Sequence, residues 1–179
     1  MHHTEVEIAT PLFADKKELA MTSVSDYIKK SLGLTSIDIM LLIIGLGNPG
    51  KEYENTRHNV GRETVMRLAK RIGFDKFHFE KKWNTEISEG IIGSKKVILA
   101  LPDTFMNKSG AAAGLVARFF KAKPDDIFVV HDDADIMLGC AKLSYAKHSA
   151  GHKGVESLIR ALKTRDFWRL RIGISGKRD

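Results

Sequence analysis

The stretch LLIIGLGNPG (residues 41–50) joins a short apolar run to a glycine-rich turn. Residues 41–44 have the length and apolar character of a buried β-strand. The turn matches G-x-G-x-x-G, a pattern found where a strand leads into a dinucleotide-binding helix. We reject that interpretation because the polar residues 51–59 delay the next helix and because Pro49 lacks a backbone amide. The turn is instead predicted to present Asn48, whose side-chain amide both donates and accepts hydrogen bonds.

Strands and helices alternate along the chain after this first strand. Apolar spacing predicts helices at 61–72, 109–120 and 154–162, the second of them capped by Ser109 or Asn107. Strands are predicted at 77–79, 85–92, 97–101, 126–130, 141–145 and 168–174, with 141–145 at an edge of the sheet. This order predicts an α/β fold, a three-layer sandwich with a mixed, mainly parallel sheet. Sites in such folds form outside the carboxyl ends of the strands.

The charge of the chain is divided unevenly. Residues 1–39 hold six acidic and four basic residues, whereas the whole chain has a net charge of +7. We therefore expect an amino-terminal extension at 1–39, irregular over 1–20 with a short amphipathic helix at 24–32, and one folded domain at 40–179. The basic balance of the domain favours a polyanionic partner such as RNA.

Composition limits the class of protein. The apolar fraction of 43% is that of a folded domain with a core. The longest apolar run, residues 39–46, is far shorter than the roughly 20 residues of a membrane span. The amino terminus lacks a signal-peptide pattern, and the single Cys140 cannot form an internal disulfide. These features predict a cytoplasmic protein that does not enter a membrane.

Two polar segments carry candidate chemistry. His58 lies just before a predicted helix, where an exposed imidazole can serve as a general base. The segment HDDAD (131–135) follows a predicted buried strand. Three interpretations of it stay open: a metal site completed by His148 or His152, a carboxylate that orients a catalytic histidine, and a capped turn.

A third segment, SAGHKG (149–154), precedes a predicted helix. Such a loop suits phosphate binding at the helix amino terminus, although a flexible basic loop would have the same composition. A basic face is predicted from Lys142, Lys147, Lys153 and Arg171. Cys140 has apolar neighbours and no G-x-S-x-G motif is present, so activated water is the expected nucleophile.

Five blocks taken in order resemble the bacterial-type peptidyl-tRNA hydrolase family. They are GLGNPGKEYENTRHNVG (45–61), PDTFMNKSG (102–110), HDDADI (131–136), AGHKG (150–154) and FWRLRIGI (167–174). The resemblance implies a cytoplasmic α/β monomer that cleaves the ester between a peptide and tRNA and returns free tRNA to translation. It also implies that no metal, no cofactor and no obligate protein partner are needed.

The resemblance assigns roles to individual residues. It makes His58 the catalytic base, Asp132 the carboxylate that holds it, and Asn48 a further catalytic group. Asn48 and Asn107 would contact the peptide and the reacting ester. The substrate cleft would be lined by Tyr53, Phe105, Met106, Asn107, His152 and Lys153, and the tRNA phosphates would be bound by Lys142 and Arg171.

Three features depart from the family pattern. Lys153 stands where the family usually has asparagine, so a donor-only cation replaces an amide. Relatives continue after the RIGI strand with a further strand, a lid and a carboxy-terminal helix; because the sequence ends at Asp179, we expect the lid segment and helix to be missing. The extension at 1–39 is not a family feature.

Overall fold

The computed structural model describes residues 40–74, 76–93 and 95–176, together with the backbone of a strand at 5–8. The helix predicted at 24–32 lies outside these residues. The strands are β1 (Glu5–Ile8), β2 (Leu41–Gly45), β3 (His78–Glu80), β4 (Thr85–Ile92), β5 (Lys95–Pro102), β6 (Ile127–Met137), β7 (Ala141–Tyr145) and β8 (Trp168–Ser175). The helices are α1 (Val60–Ile72), α2 (Ser109–Phe119) and α3 (Lys153–Leu162).

The strands form one mixed sheet in the order β1-β7-β8-β6-β2-β5-β4-β3. Its four central strands, β8, β6, β2 and β5, run parallel, and both flanks are antiparallel. The parallel centre places the carboxyl ends of β2, β6 and β8 at one edge, where a site is expected. The predicted α/β class is therefore confirmed.

Helices cover both faces of the sheet. On one face, Leu42 and Ile44 of β2 pack with residues of α2 and α3, such as Val116 and Leu158. On the other face, Ile43 and its neighbours pack with α1 through buried side chains such as Val65. Alternate residues of β2 thus enter two different cores, which explains its continuous apolar run and gives the predicted three layers.

Strand β6 is longer than its apolar residues predicted. It pairs with β8 as far as the register Asp133–Gly173, and an irregularity follows before Met137. HDDAD therefore lies within the strand rather than in a loop after it, and the capped-turn interpretation is wrong. Parallel pairing of Asp132 and Asp133 with Ile172 and Gly173 of β8 overrides the low strand propensity of these aspartates.

Three predictions about the periphery of the fold are also wrong. Residues 1–20 are not wholly irregular, because β1 pairs antiparallel with β7. For the same reason β7 is not an edge strand.

The amino end of α2 has no side-chain cap from Ser109 or Asn107: a 3-10 turn over Met106–Lys108 runs directly into it. The Gly110 amide is instead satisfied by Ser157 Oγ of α3 at 3.0 Å.

No helix among the described residues is long and apolar enough to span a membrane.

Candidate active site

Close packing of α1 on β6 brings His58 to the carboxyl end of the sheet. His58 lies in a 3-10 turn over Arg57–Asn59 that leads into α1. A Cβ atom at Gly61 would lie 2.3 Å from the Val130 carbonyl oxygen, so this approach requires glycine. Arg57 Nη1 also donates to the Ile174 carbonyl at 3.3 Å, which ties the turn to β8.

His58 and Asp132 form a hydrogen-bonded pair across this packing. His58 Nδ1 lies 2.7 Å from Asp132 Oδ2, and the side chains are 71% and 4% exposed, respectively. Burial alone would raise the pKa of the Asp132 carboxyl, but hydrogen bonds from His152 and then His58 outweigh it and hold that pKa below its ordinary value. Asp132 is therefore a carboxylate near neutral pH. It accepts the Nδ1 proton, which leaves a lone pair on His58 Nε2.

His152 is the second partner of Asp132. Its Nε2 lies 2.7 Å from Asp132 Oδ1. Its Nδ1 accepts the backbone amides of Gly154 and Val155 at 3.2 Å, as the cap of α3. Since backbone amides only donate, Nδ1 carries no proton, and Nε2 donates to Asp132. The resemblance placed His152 among the substrate contacts, and its position just before a predicted helix was the one sequence signal for a cap.

His131 contacts the same aspartate from inside the fold. It is 2% exposed, and its Nδ1 donates to the Asp132 carbonyl oxygen at 2.6 Å. Its ring meets the His152 ring in an edge-on contact at 4.7 Å. Burial, and after it the charge of the neighbouring His152, lowers the pKa of His131 to about 3. In the described part of the chain, no three His, Cys, Asp or Glu side chains are grouped so that they could hold a metal ion.

His131 makes the stability of the protein depend on pH. Because its pKa is about 3 when folded and 6.5 in the reference state, the unfolded chain binds more protons between these values, so stability falls as the pH falls through this window. His131→Asn keeps a donor for the Asp132 carbonyl but does not titrate. We expect it to reduce the stability lost between pH 7 and pH 5 by about 2 kcal/mol, measured by urea unfolding at both pH values.

The matched control for this measurement is His78→Asn, at a half-exposed histidine of β3. It is expected to leave the pH dependence close to that of the unaltered protein. A His131→Asn protein that loses as much stability between pH 7 and pH 5 as the unaltered protein would contradict the assignment.

Asn48 is fixed by hydrogen bonds to Asn59 and Met106. Its backbone exchanges hydrogen bonds with the Asn59 side chain at 2.8 and 2.9 Å. The Met106 amide donates to Asn48 Oδ1 at 2.8 Å. That amide can only donate, so the atom facing it is the carboxamide oxygen, and Nδ2 points to the opposite side as a donor.

The other predicted cleft residues differ in how firmly they are held. Met106 is partly buried against the core, and a Cβ at Gly154 would lie 2.5 Å from its sulfur, so glycine allows this contact. Tyr53 is half-buried, and Phe105 is 56% exposed. Asn107 and Lys153 are exposed. The described hydrogen bonds join His58, Asp132 and His152, and separately Asn48 and Met106; they do not bring Asn107 or Lys153 into either group.

Lys142 and Arg171 are cross-strand neighbours on β7 and β8, so they lie on the same face of the sheet. Both are half-buried. Arg171 Nε donates to the buried Asp133 carboxylate at 2.7 Å. The negative charge of Asp133 offsets the positive charge of Arg171, so the pair attracts a phosphate less strongly than an unpaired, exposed arginine would. Sequence reasoning did not identify Asp133 as its partner.

Comparisons with known proteins agree with this architecture. The family model described as peptidyl-tRNA hydrolase matches residues 42–179. A peptidyl-tRNA hydrolase of Mycobacterium sp. (strain KMS) is 42% identical over 142 residues, which cover 78% of this chain and 73% of the relative. One from Rhodococcus erythropolis is 45% identical over 133 residues, covering 74% and 70%.

Solved structures give the same result. The crystal structure of peptidyl-tRNA hydrolase from Acinetobacter baumannii matches with a TM-score of 0.74 and 34% identity, covering 81% of this chain and 73% of that one. The sequence relatives and the shared fold agree, and this chain belongs to the peptidyl-tRNA hydrolase family.

Proposed function

We propose that the chain hydrolyses the ester between the peptide and tRNA in peptidyl-tRNA by means of water that His58 activates. The observation that carries the proposal is the 2.7 Å hydrogen bond between His58 Nδ1 and buried Asp132, on an imidazole whose side chain is 71% exposed. Such a ring is fixed at one nitrogen and open to substrate at the other. Family membership supports the choice of substrate.

The reaction needs one base and one oxyanion donor. His58 Nε2 removes a proton from water as the water oxygen attacks the ester carbonyl carbon. The imidazolium formed is stabilised by the Asp132 carboxylate. When the tetrahedral intermediate collapses, the bond from the carbonyl carbon to the ribose oxygen breaks, and that oxygen takes the proton from His58. An aminoacyl ester is already activated, so water and a neutral imidazole suffice for this step.

His152 contributes by fixing the carboxylate. Its Nε2–H occupies Asp132 Oδ1, while its other nitrogen is held by two amides of α3. The carboxylate therefore cannot rotate freely, and Oδ2 stays directed at His58. This role differs from the substrate contact that the resemblance implied, although the exposed part of the His152 ring is compatible with both.

Asn48 is the proposed donor to the developing oxyanion. Its Nδ2 direction is set by the Met106 amide on its oxygen. Asn48→Asp keeps an oxygen for that amide but removes the donor and adds negative charge. We expect single-turnover hydrolysis to fall by about 100- to 1,000-fold, as when an oxyanion-hole donor is lost. Asn55→Asp, at an exposed position seven residues along, is the charge control and should retain most of the rate. Equal rates for the two variants would remove Asn48 from this role.

Discrimination against free aminoacyl-tRNA belongs to the same proposal. A site that hydrogen-bonds the first peptide amide disfavours a charged α-amine, because a mismatched buried polar group is costly. The test compares the unaltered chain on N-acetyl-aminoacyl-tRNA and on aminoacyl-tRNA, with and without EDTA. We expect rapid cleavage of the blocked ester alone, unaffected by EDTA. Equal cleavage of both esters, or loss of activity with EDTA, would overturn the proposal.

The remaining assignments are parts of this proposal. Asn107, Tyr53 and Phe105 would contact the peptide and the ester. Lys142 and Arg171 would bind tRNA phosphates, and exposed Lys153 would bind the terminal phosphate or ribose in place of an asparagine. The protein would act in the cytoplasm as a monomer, without a cofactor or an obligate protein partner.

A further inference from the structure

Arg169 of β8 is a buried arginine to which neither sequence nor resemblance assigned a role. It is 1% exposed, and its Nη1 donates to the His148 carbonyl at 2.9 Å. Among the described residues, its Nε and Nη2 atoms have no hydrogen-bond partner. Burial lowers the pKa of Arg169 to about 10, helped by the charge of Arg171, so the side chain remains a cation at neutral pH. Burying a cation without a hydrogen-bonded carboxylate is costly. The burial of Arg169 against the His148 carbonyl therefore calls for an explanation.

The carbonyl that Arg169 holds lies in the middle of the loop 146–152, between β7 and α3. This loop has an unusual backbone. Ala146 and Ala150 have positive φ angles of 55° and 49°, and Gly151 has 80°. Non-glycine residues adopt this conformation at an energetic cost and keep it only where their surroundings enforce it. The Arg169 hydrogen bond supplies such a constraint at the centre of the loop.

A short series of hydrogen bonds leads from Arg169 to the candidate active site. Arg169 holds the carbonyl of His148, and the next residue, Ser149, accepts the His152 amide at 3.0 Å. His152 Nε2 then donates to Asp132 Oδ1 at 2.7 Å. Asp132 Oδ2 accepts His58 Nδ1 at the same distance. Arg169 thus fixes the middle of the loop, and His152 at the end of the loop orients the Asp132 carboxylate.

We propose that Arg169 is a positioning residue. It fixes the 146–152 loop through the His148 carbonyl, so that His152 keeps the Asp132 carboxylate directed at His58 Nδ1. Its effect on catalysis rests on the proposed function; its effect on the His152 ring does not. Direct binding of tRNA phosphate is disfavoured because Arg169 is almost fully buried, unlike half-buried Arg171 on the same strand.

The chain offers a matched control for this proposal. Arg165 also contacts His148, but it is exposed and donates from Nη1 to the ring nitrogen Nε2 at 2.7 Å, not to the carbonyl. Arg165→Met removes an arginine and its contact to the His148 ring. Arg169→Met removes an arginine and its hydrogen bond to the His148 carbonyl. Arg169→Lys retains the charge but ends about one bond short of Nη1, so it should hold the loop only in part.

Two readouts are taken on the full chain: kcat and KM for N-acetyl-aminoacyl-tRNA, and the ring nitrogen NMR shifts of His152. We expect Arg169→Met to lower kcat by about 10- to 100-fold with KM within about threefold, the size of a small misplacement of catalytic groups. In this variant the ring nitrogen shifts of His152 should move from those of the Nε2–H tautomer towards the average of the two tautomers. Arg169→Lys should lie between, with kcat lowered at least about threefold, and Arg165→Met should match the unaltered protein.

The outcomes separate the two proposals. An unchanged His152 signal in folded Arg169→Met would overturn the positioning role. If that variant does not fold, Arg169→Lys decides: a kcat and a His152 signal equal to those of the unaltered protein would overturn the role. A KM increase without loss of kcat would show tRNA binding instead and also overturn it. If the unaltered chain does not hydrolyse peptidyl-tRNA, the proposed function fails, while the NMR comparison still decides the role of Arg169.

Discussion

Replacing His58 with alanine is expected to slow single-turnover hydrolysis of N-acetyl-aminoacyl-tRNA by about 100- to 10,000-fold. A positioned general base contributes a factor of this size, and His58 Nε2 is the atom that would take the proton from water. The side chain is 71% exposed, so little packing is lost and the fold should persist. Binding of tRNA, measured by filter retention, should change little because the proposed phosphate contacts are made by β7, β8 and Lys153 of α3, not by His58.

His78→Ala serves as the control for this variant, since His78 is a half-exposed histidine whose ring lies 3.4 Å from a Glu80 oxygen. It should hydrolyse at nearly the rate of the unaltered chain. Retention of more than about a tenth of the rate by His58→Ala would count against a base role, because general-base catalysis contributes more than that.

Asp132→Asn is expected to reduce the rate by up to about 10,000-fold, through the tautomer of His58. An asparagine has one oxygen, whereas both histidines require an acceptor. His152 is fixed as the Nε2–H tautomer by two amides of α3. If the asparagine oxygen serves His152, its NH₂ group faces His58 Nδ1 and forces the His58 proton onto Nε2. The nitrogen that should accept the proton of water would then be occupied.

Asp135→Asn removes a carboxylate from the exposed part of the same segment and is the matched control. It should retain nearly the full rate, and unfolding measurements should show that Asp132→Asn is folded under the assay conditions. Comparable rates for Asp132→Asn and Asp135→Asn would exclude the proposed function of the pair.

The sequence was most informative where local pattern and burial agree. The strand predicted at 85–92 has those bounds as β4, and α1 begins one residue before its prediction. Strand β6 was underestimated because Asp132 and Asp133 have low strand propensity, and pairing with Ile172 and Gly173 of β8 keeps them extended. Local propensity cannot register such a tertiary effect.

The site could be predicted only in part. From the residues alone, HDDAD had three open interpretations, and the choice of Asp132 as partner of His58 came from the family resemblance. Their adjacency depends on Gly61, which lets α1 approach β6. Asp132 accepts hydrogen bonds from both His58 and His152, which lie 74 and 20 positions away from it in the sequence. No spacing rule predicts that one carboxylate serves both rings. Arg169 was missed because alternation along β8 does not indicate exposure in a sheet covered on both faces.

The division of the chain stays a prediction. The family match covers residues 42–179, and the predicted domain begins at residue 40. However, β1 of the extension pairs with β7 of the domain, from Glu5–Ser144 to Ile8–Ala141. The extension therefore contributes a strand to the sheet, and the boundary at residue 39 does not separate two independent structural units.

We propose that Asp132 acts only through His58, so that the two residues form one catalytic unit. The most direct test is a double-mutant comparison of single-turnover rates for His58→Ala, Asp132→Asn and the variant with both changes. Residues that act together give losses that do not add. We predict that the double variant hydrolyses N-acetyl-aminoacyl-tRNA within about threefold of His58→Ala alone. A double variant slower than His58→Ala by the full factor measured for Asp132→Asn alone would contradict the claim.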